Sequence, residues 1–133
     1  MCFHLLDRFR RRPVSLGERG ERAAARFLRR AGCQIIARHH RDRFGEIDLI
    51  ASDGRAIIFV EVKTRRCVQY EHPAEAVNHQ KQRRVTRTAM AYMKRHRLLN
   101  TAARFDIIAV TWPANVRRPT IEHFPGAFDA VER

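Results

Sequence analysis

Two apolar runs carry three carboxylates and a lysine, and those four groups set the chemistry. The runs are Gly45-Glu46-Ile47-Asp48-Leu49-Ile50-Ala51 and Ala56-Ile57-Ile58-Phe59-Val60-Glu61-Val62-Lys63. Ionised groups inside such runs are costly unless they are paired or hold a cation. Asp53-Gly54 between two runs rich in Ile, Val and Phe is a strong hairpin signal. With Asp53 and Gly54 as the turn residues, Ser52 faces Arg55, Leu49 faces Ile58, Asp48 faces Phe59, Ile47 faces Val60 and Glu46 faces Glu61. Side chains alternate with period two. One face then carries Glu46, Asp48, Glu61 and Lys63, and the other Ile47, Leu49, Ile58, Val60 and Val62. Asp48 and Glu61 become diagonal neighbours, roughly 7 Å apart and able to share one ion. A divalent cation would remove their repulsion and turn them into ligands.

The neighbouring elements must position this face. Leu16 to Ala31 reads as a helix, with Ala24, Phe27, Leu28 and Ala31 at helical spacing and Gly32 as the stop. Gly20 weakens its first turn, and Glu21 is a solvated first-turn acid on the helix evidence alone. Cys33 to His39 is a short strand. His39 to Arg43 is a polar, basic loop whose histidines lack any standard ligand spacing and serve as surface or phosphate contacts. Ala74 to about Arg97 is a long helix. Its buried side is Ala76, Val77, Val85, Thr88, Ala89, Tyr92 and Met93, and its exposed side is a basic run including Lys81, Arg84, Arg87 and Arg95. Arg104 to Val110 is a central strand, Thr120 to Phe124 a short edge strand, and Pro125 to Phe128 a closing turn or helical cap. The fold class is α/β, with a mixed sheet flanked by helices.

The chain has 133 residues, enough for one core, and a net charge of +13. Such a balance favours a polyanionic partner. Residues 1–14 are expected to form a flexible basic arm and residues 15–133 a single domain. Cys2, Cys33 and Cys67 lie far apart with no zinc spacing, which points to free thiols in a reducing compartment. No apolar run approaches the roughly 18 residues of a membrane span, so a cytoplasmic location is expected.

Asp48 followed by Glu61-Val62-Lys63 is similar to the PD-(D/E)xK nuclease pattern. GERGERAAARFL, GEIDLI, FVEVKTR, the Lys81-Gln82-Arg83 segment and RFDII together resemble the YraN family of bacterial endonuclease-type proteins, over roughly residues 16–128. The resemblance implies a restriction-endonuclease-like α-β-β-β-α-β core, related to Holliday-junction resolvases and tRNA-endonuclease-like domains. It also implies a catalytic set of Glu21, Asp48, Glu61 and Lys63. The family tends to have Asn and an aromatic where this chain has His39 and His40, and Gly after the aromatic where it has Tyr70-Glu71.

The expected cofactor is Mg²⁺ or Mn²⁺, held by Asp48, Glu61 and the Val62 carbonyl. Glu46 is a candidate accessory ligand, or it caps the strand or pairs with Lys63. Arg41, Arg43, Arg65, Arg66, Lys81, Arg84, Arg87 and Arg95 are expected to contact phosphates. The first function class is a metal-dependent endonuclease on DNA, including branched or damaged DNA. The alternative is a nucleic-acid-binding protein that does not cleave. DNA is favoured over RNA, no membrane is expected, and a homodimer stays open.

Overall fold

A computed structural model describes residues 12–68, 75 and 77–131. Most of the arm expected at residues 1–14, and the Tyr70-Glu71 departure, lie outside the described residues. Ser15 starts the first helix, its hydroxyl oxygen accepting a hydrogen bond from the Glu18 N–H at 3.1 Å. Helix α1 runs Leu16–Arg30. Gly32 follows at φ 95°, the left-handed conformation that lets glycine end a helix cheaply. Then come β1 (Gln34–Asp42), β2 (Gly45–Ser52), β3 (Ala56–Arg65), α2 (His79–Arg95), β4 (Ala102–Thr111) and β5 (Thr120–Phe128). The five strands lie in the order β1-β2-β3-β4-β5. β3 and β4 are parallel, and the other three pairings are antiparallel. The α-β-β-β-α-β order implied by the sequence is present, with β5 added at the edge.

The two helices cover opposite faces of the sheet. Ala24, Ala25 and Leu28 of α1 pack on Leu49, Ile58, Val60, Ile108 and Val110. Val85, Ala89, Tyr92 and Met93 of α2 pack on Ile50, Ile57, Phe59 and Phe105. β3 is therefore buried on both sides, which is why Ile57 to Val60 is continuously apolar. Each large apolar side chain so buried stabilises the fold by about 1.5–3 kcal/mol relative to exposure.

Several sequence expectations need correction. The β2–β3 register pairs Leu49 with Val60 and Ser52 with Ile57, two residues away from the expected pairing. The Asp53 N–H donates to the Ala56 carbonyl, so Gly54 and Arg55 are the turn residues. Gly54 takes φ 88° at the first turn position. Asp53 instead closes the turn, accepting from the N–H groups of Arg55 and Ala56 at 2.8 Å each. A two-residue shift would by itself preserve the alternation and keep Asp48 and Glu61 on one face, but the ladder ends at Leu49–Val60, and Asp48 meets Glu21 of α1 while Glu61 meets Lys81 of α2. Ile47 departs from that alternation and joins the core under α2.

β1 continues to Asp42, so the basic stretch from His39 is strand and not loop. Its turn to β2 is held by Asp42 Oδ1, which accepts from the Phe44 and Gly45 N–H groups at 2.7 and 3.2 Å. α2 begins at His79 with Asn78 as its cap, later than the expected Ala74, and Ala74 and Ala76 lie outside the described residues. Pro125 to Phe128 belongs to β5, which carries an irregularity against β4 between Phe105 and Ile107. Proline sits in sheets at such edge irregularities because it has no N–H to give the ladder.

At Gly20, α1 packs directly against Thr64 of β3. A Cβ there would lie 1.8 Å from Thr64 Oγ1. Gly20 and Glu21 were expected in the first turn, but the helix starts at Leu16 and puts them in its second; there Gly20 sets the depth at which the helix, and Glu21 beside it, meets the sheet.

Candidate metal and nucleic-acid site

The β2–β3 ladder ends at the Leu49–Val60 pair, and the acidic residues occupy the place where the strands part. Asp48 turns its carboxylate toward β3, and Oδ2 accepts the Val62 N–H at 2.8 Å. Glu21 arrives from α1 and His39 from β1. One ligand atom each from Glu21, His39 and Asp48 all lie within 4.8 Å of one another. His39 is at φ 50°, a left-handed conformation costing a non-glycine residue about 1–2 kcal/mol. The burial alternation of β1 changes phase at Arg38–His39. His39 was expected to be a loop residue and no ligand; the strand carries it into the acidic cluster instead.

Glu61 is 7% exposed and is the most buried acid beside the cluster. The Lys81 ammonium donates to its Oε1 from α2, and the Lys63 ammonium stands 3.6 Å from the same oxygen. Lys81 was expected on the exposed phosphate track; its ammonium is drawn inward because a buried carboxylate needs a cation. Glu46 pairs with Arg41 at 3.1 Å and lies 3.6 Å from His39, rather than pairing with Lys63.

The electrostatics follow from this crowding. Burial, and after it the Glu61 carboxylate, push Asp48 up to about 7. Burial also raises Glu21, against the pull of His39 and a side-chain hydrogen bond with Asp48. Lys63 is lowered by burial and then by the Lys81 charge. Burial alone would lower Lys81, but its bond to Glu61 and the Glu61 charge raise it. Two carboxylates that resist ionisation together, with an imidazole beside them, fit a divalent cation: the ion would supply the charge the cluster lacks. The imidazole shifts the donor set away from Mg²⁺ and toward transition metals relative to an all-oxygen site.

Glu21 and His39 line a small cleft of about 320 Å³ with Arg22 and Arg38. A larger cleft of about 760 Å³, lined by Arg41, Arg43, Arg84 and Lys81 together with Asp42 and Glu46, meets the cluster through Lys81 and Glu46. The Arg43 guanidinium lies 4.7 Å over the Phe44 ring. Arg87 and Arg95 line a separate groove farther along α2, with Met90 and Leu99 exposed in it. Arg65 and Arg66 do not join the cleft lining. Arg65 donates to the Thr64 carbonyl at 3.4 Å and Arg66 to the Trp112 carbonyl at 3.3 Å.

The uncharacterised protein family UPF0102 matches residues 20–110, a stretch that holds all the residues of the cluster. The chain belongs to this family. It is the family named YraN above. A UPF0102 protein of Rhodopirellula baltica is 52% identical over 121 residues, covering 89% of this chain and 72% of its own length. One from Syntrophotalea carbinolica is 47% identical over 116 residues, covering 87% and 93%. Among solved structures, a Holliday junction resolvase of Archaeoglobus fulgidus superposes with a TM-score of 0.43 at 18% identity, covering 82% of this chain and 76% of its own. Among the described residues, no helix is long and apolar enough to cross a membrane.

Proposed function

We propose that this UPF0102 protein is a divalent-metal-dependent endonuclease that hydrolyses phosphodiester bonds in DNA. The observation that carries the reading is the convergence of Glu21, His39 and Asp48 within 4.8 Å. It is supported by the basic cleft that meets the cluster through Lys81 and Glu46. Asp48, Glu21 and His39 would hold Mg²⁺ or Mn²⁺, with Glu61 and the Val62 carbonyl as further ligands once Lys81 moves off Glu61. When bound, the ion would polarise a phosphoryl oxygen and lower the pKa of a water. Lys63, held near Glu61 with its pKa depressed, would orient the attacking water or stabilise charge on the phosphate. Arg41, Arg43 and Arg84 would bind phosphates on either side of the reacting one.

One observation favours a second reading. Glu61 already has two cations, Lys81 and Lys63, and so has a structural partner without any metal. A protein that only binds nucleic acid would use the same basic cleft. A cleavage screen over single-stranded, duplex, nicked and four-way DNA, and over RNA, with Mn²⁺ or Mg²⁺ separates them. The nuclease reading expects metal-dependent cleavage of at least one DNA that is lost in Asp48→Asn. Binding without cleavage of any substrate would favour the second reading.

A further inference from the structure

Arginines gather a second time, on the other face of the sheet. Arg26 and Arg30 stand four residues apart and exposed on α1, so they share one side of the helix. The β4–β5 connection presents Arg117 and Arg118, also exposed. Both pairs line one groove of about 390 Å³, over Phe27 and Trp112.

Trp112 builds this groove. It is 6% exposed and belongs to the core under α1. Its indole N–H donates to the Val116 carbonyl at 2.9 Å, which fastens the loop carrying Arg117 and Arg118. The Arg19 guanidinium lies 4.1 Å over its ring, and Arg66 donates to its backbone carbonyl. The loop arginines are thereby set beside those of the helix.

Among the described residues these charges lack compensation. Arg41 is paired with Glu46, and Arg104 with Asp53 and Asp106. Among the described residues, none of Arg26, Arg30, Arg117 and Arg118 forms an ion pair, and no acid lines the groove. Like charges held close cost stability, and an anionic ligand would relieve them. Arginine forks match phosphate oxygens two at a time. Trp112 is too buried to stack on a base or enter a bilayer, so recognition falls on phosphates and not on sequence.

We propose that this groove is a second nucleic-acid site, holding the phosphodiester backbone of a segment other than the one at the acidic cluster. α1 and α2 cover opposite faces, so a duplex lying along α2 leaves the groove open. The protein thereby grips two segments at once, as a branch point or two neighbouring duplexes would present. The inference rests on the nucleic-acid half of the proposed function and not on hydrolysis.

Trp112 is the chain's one tryptophan, and its emission reports on the groove. Titration with a duplex of about ten base pairs, one helical turn, should change that emission saturably, with two duplexes bound per chain. A variant carrying Arg26→Gln, Arg30→Gln, Arg117→Gln and Arg118→Gln should lose the emission change and bind one duplex. The log–log salt slope of total binding should shrink by about 2–4, near one unit per lost phosphate contact. Its thermal midpoint at low salt should rise, because repulsion is removed. If that variant does not fold, Arg117→Gln with Arg118→Gln in the exposed loop carries the same test with about half the change in slope. Unchanged stoichiometry and emission in a folded variant would overturn the proposal while leaving the cleft intact. Emission that responds to anionic phospholipid vesicles and not to duplex would make the groove a membrane surface and overturn it too. A wild type that binds no duplex by anisotropy defeats both this site and the proposed function.

Discussion

The Lys81 ammonium, in the first turn of α2, donates to Oε1 of Glu61 on β3. It sits where a cation would otherwise be needed, so under the proposed function a metal ion would compete with the lysine for this carboxylate. Lys81→Met should tighten Mn²⁺ binding by about tenfold, the scale of one modest charge interaction. The same variant should lower metal-free stability by about 1–2 kcal/mol; Lys63 stays 3.6 Å from Glu61 and limits the loss. Calorimetry showing equal Mn²⁺ affinity in both proteins would remove the competition.

Asp48 makes metal-free stability depend on pH. Its pKa is about 7 in the fold against an ordinary 3.8. Between those values the folded state holds the proton and the unfolded state does not, so stability falls as pH rises. The contribution is complete below about pH 4 and gone above about pH 7. Asp48→Asn should flatten this part of the curve and raise the metal-free midpoint at pH 8. Saturating Mn²⁺ should raise the wild-type midpoint more at pH 8 than at pH 6 and leave the variant unmoved. Parallel curves for the two proteins across this window would contradict the assignment.

Gly20→Ala should displace α1. The new Cβ would meet Thr64 Oγ1 at 1.8 Å and Cβ at 2.8 Å, so helix or strand must move. Destabilisation of about 1–3 kcal/mol is expected, the scale of overpacking a tight contact. Glu21 rides on the next residue, so Mn²⁺ affinity should drop as well. Thr64→Gly in the same chain should restore part of both. A variant with full stability and affinity would show that the contact does not set the helix.

Lys63→Met separates chemistry from structure. Glu61 keeps a cationic partner in that variant, Lys81 without metal and the ion with it, so the thermal midpoint with saturating Mn²⁺ should stay near wild type. Nucleic-acid affinity should stay within a few-fold, and single-turnover cleavage should fall by about 100-fold, the effect of losing one electrostatic donor. A large loss of stability with unchanged cleavage per folded molecule would sink the catalytic role.

How legible each part was depends on whether periodicity or long-range contact decides it. The nearness of Asp48 and Glu61 was readable because a register shift of two still leaves them close together; their common face was not, because the alternation breaks at Ile47. The turn itself was misplaced: Asp53 spends its side chain capping Arg55 and Ala56, which moves the turn to Gly54-Arg55. His39 was missed because the polar end of β1 has no apolar alternation, and its left-handed backbone changes the strand's phase. Lys81 looked like one of many exposed helix cations, since only the fold brings it to Glu61, twenty residues earlier. The role of Gly20 depended on a contact with Thr64 that spacing along α1 does not encode.

The strand order also has a kinetic consequence. Glu21, His39, Asp48 and Glu61 all lie in the segment from α1 to β3, whose strands join through short antiparallel turns. Only the β3–β4 ladder needs a long crossover, from Arg65 to Ala102, and α2 with Lys81 lies inside it. Closing short loops costs less entropy than closing long ones. A chain folding from its N-terminal side would therefore gather its acids before the Lys81 ammonium reaches them. Their mutual repulsion then draws α2 onto the sheet, and a divalent cation present during folding would take over that task and speed the early steps.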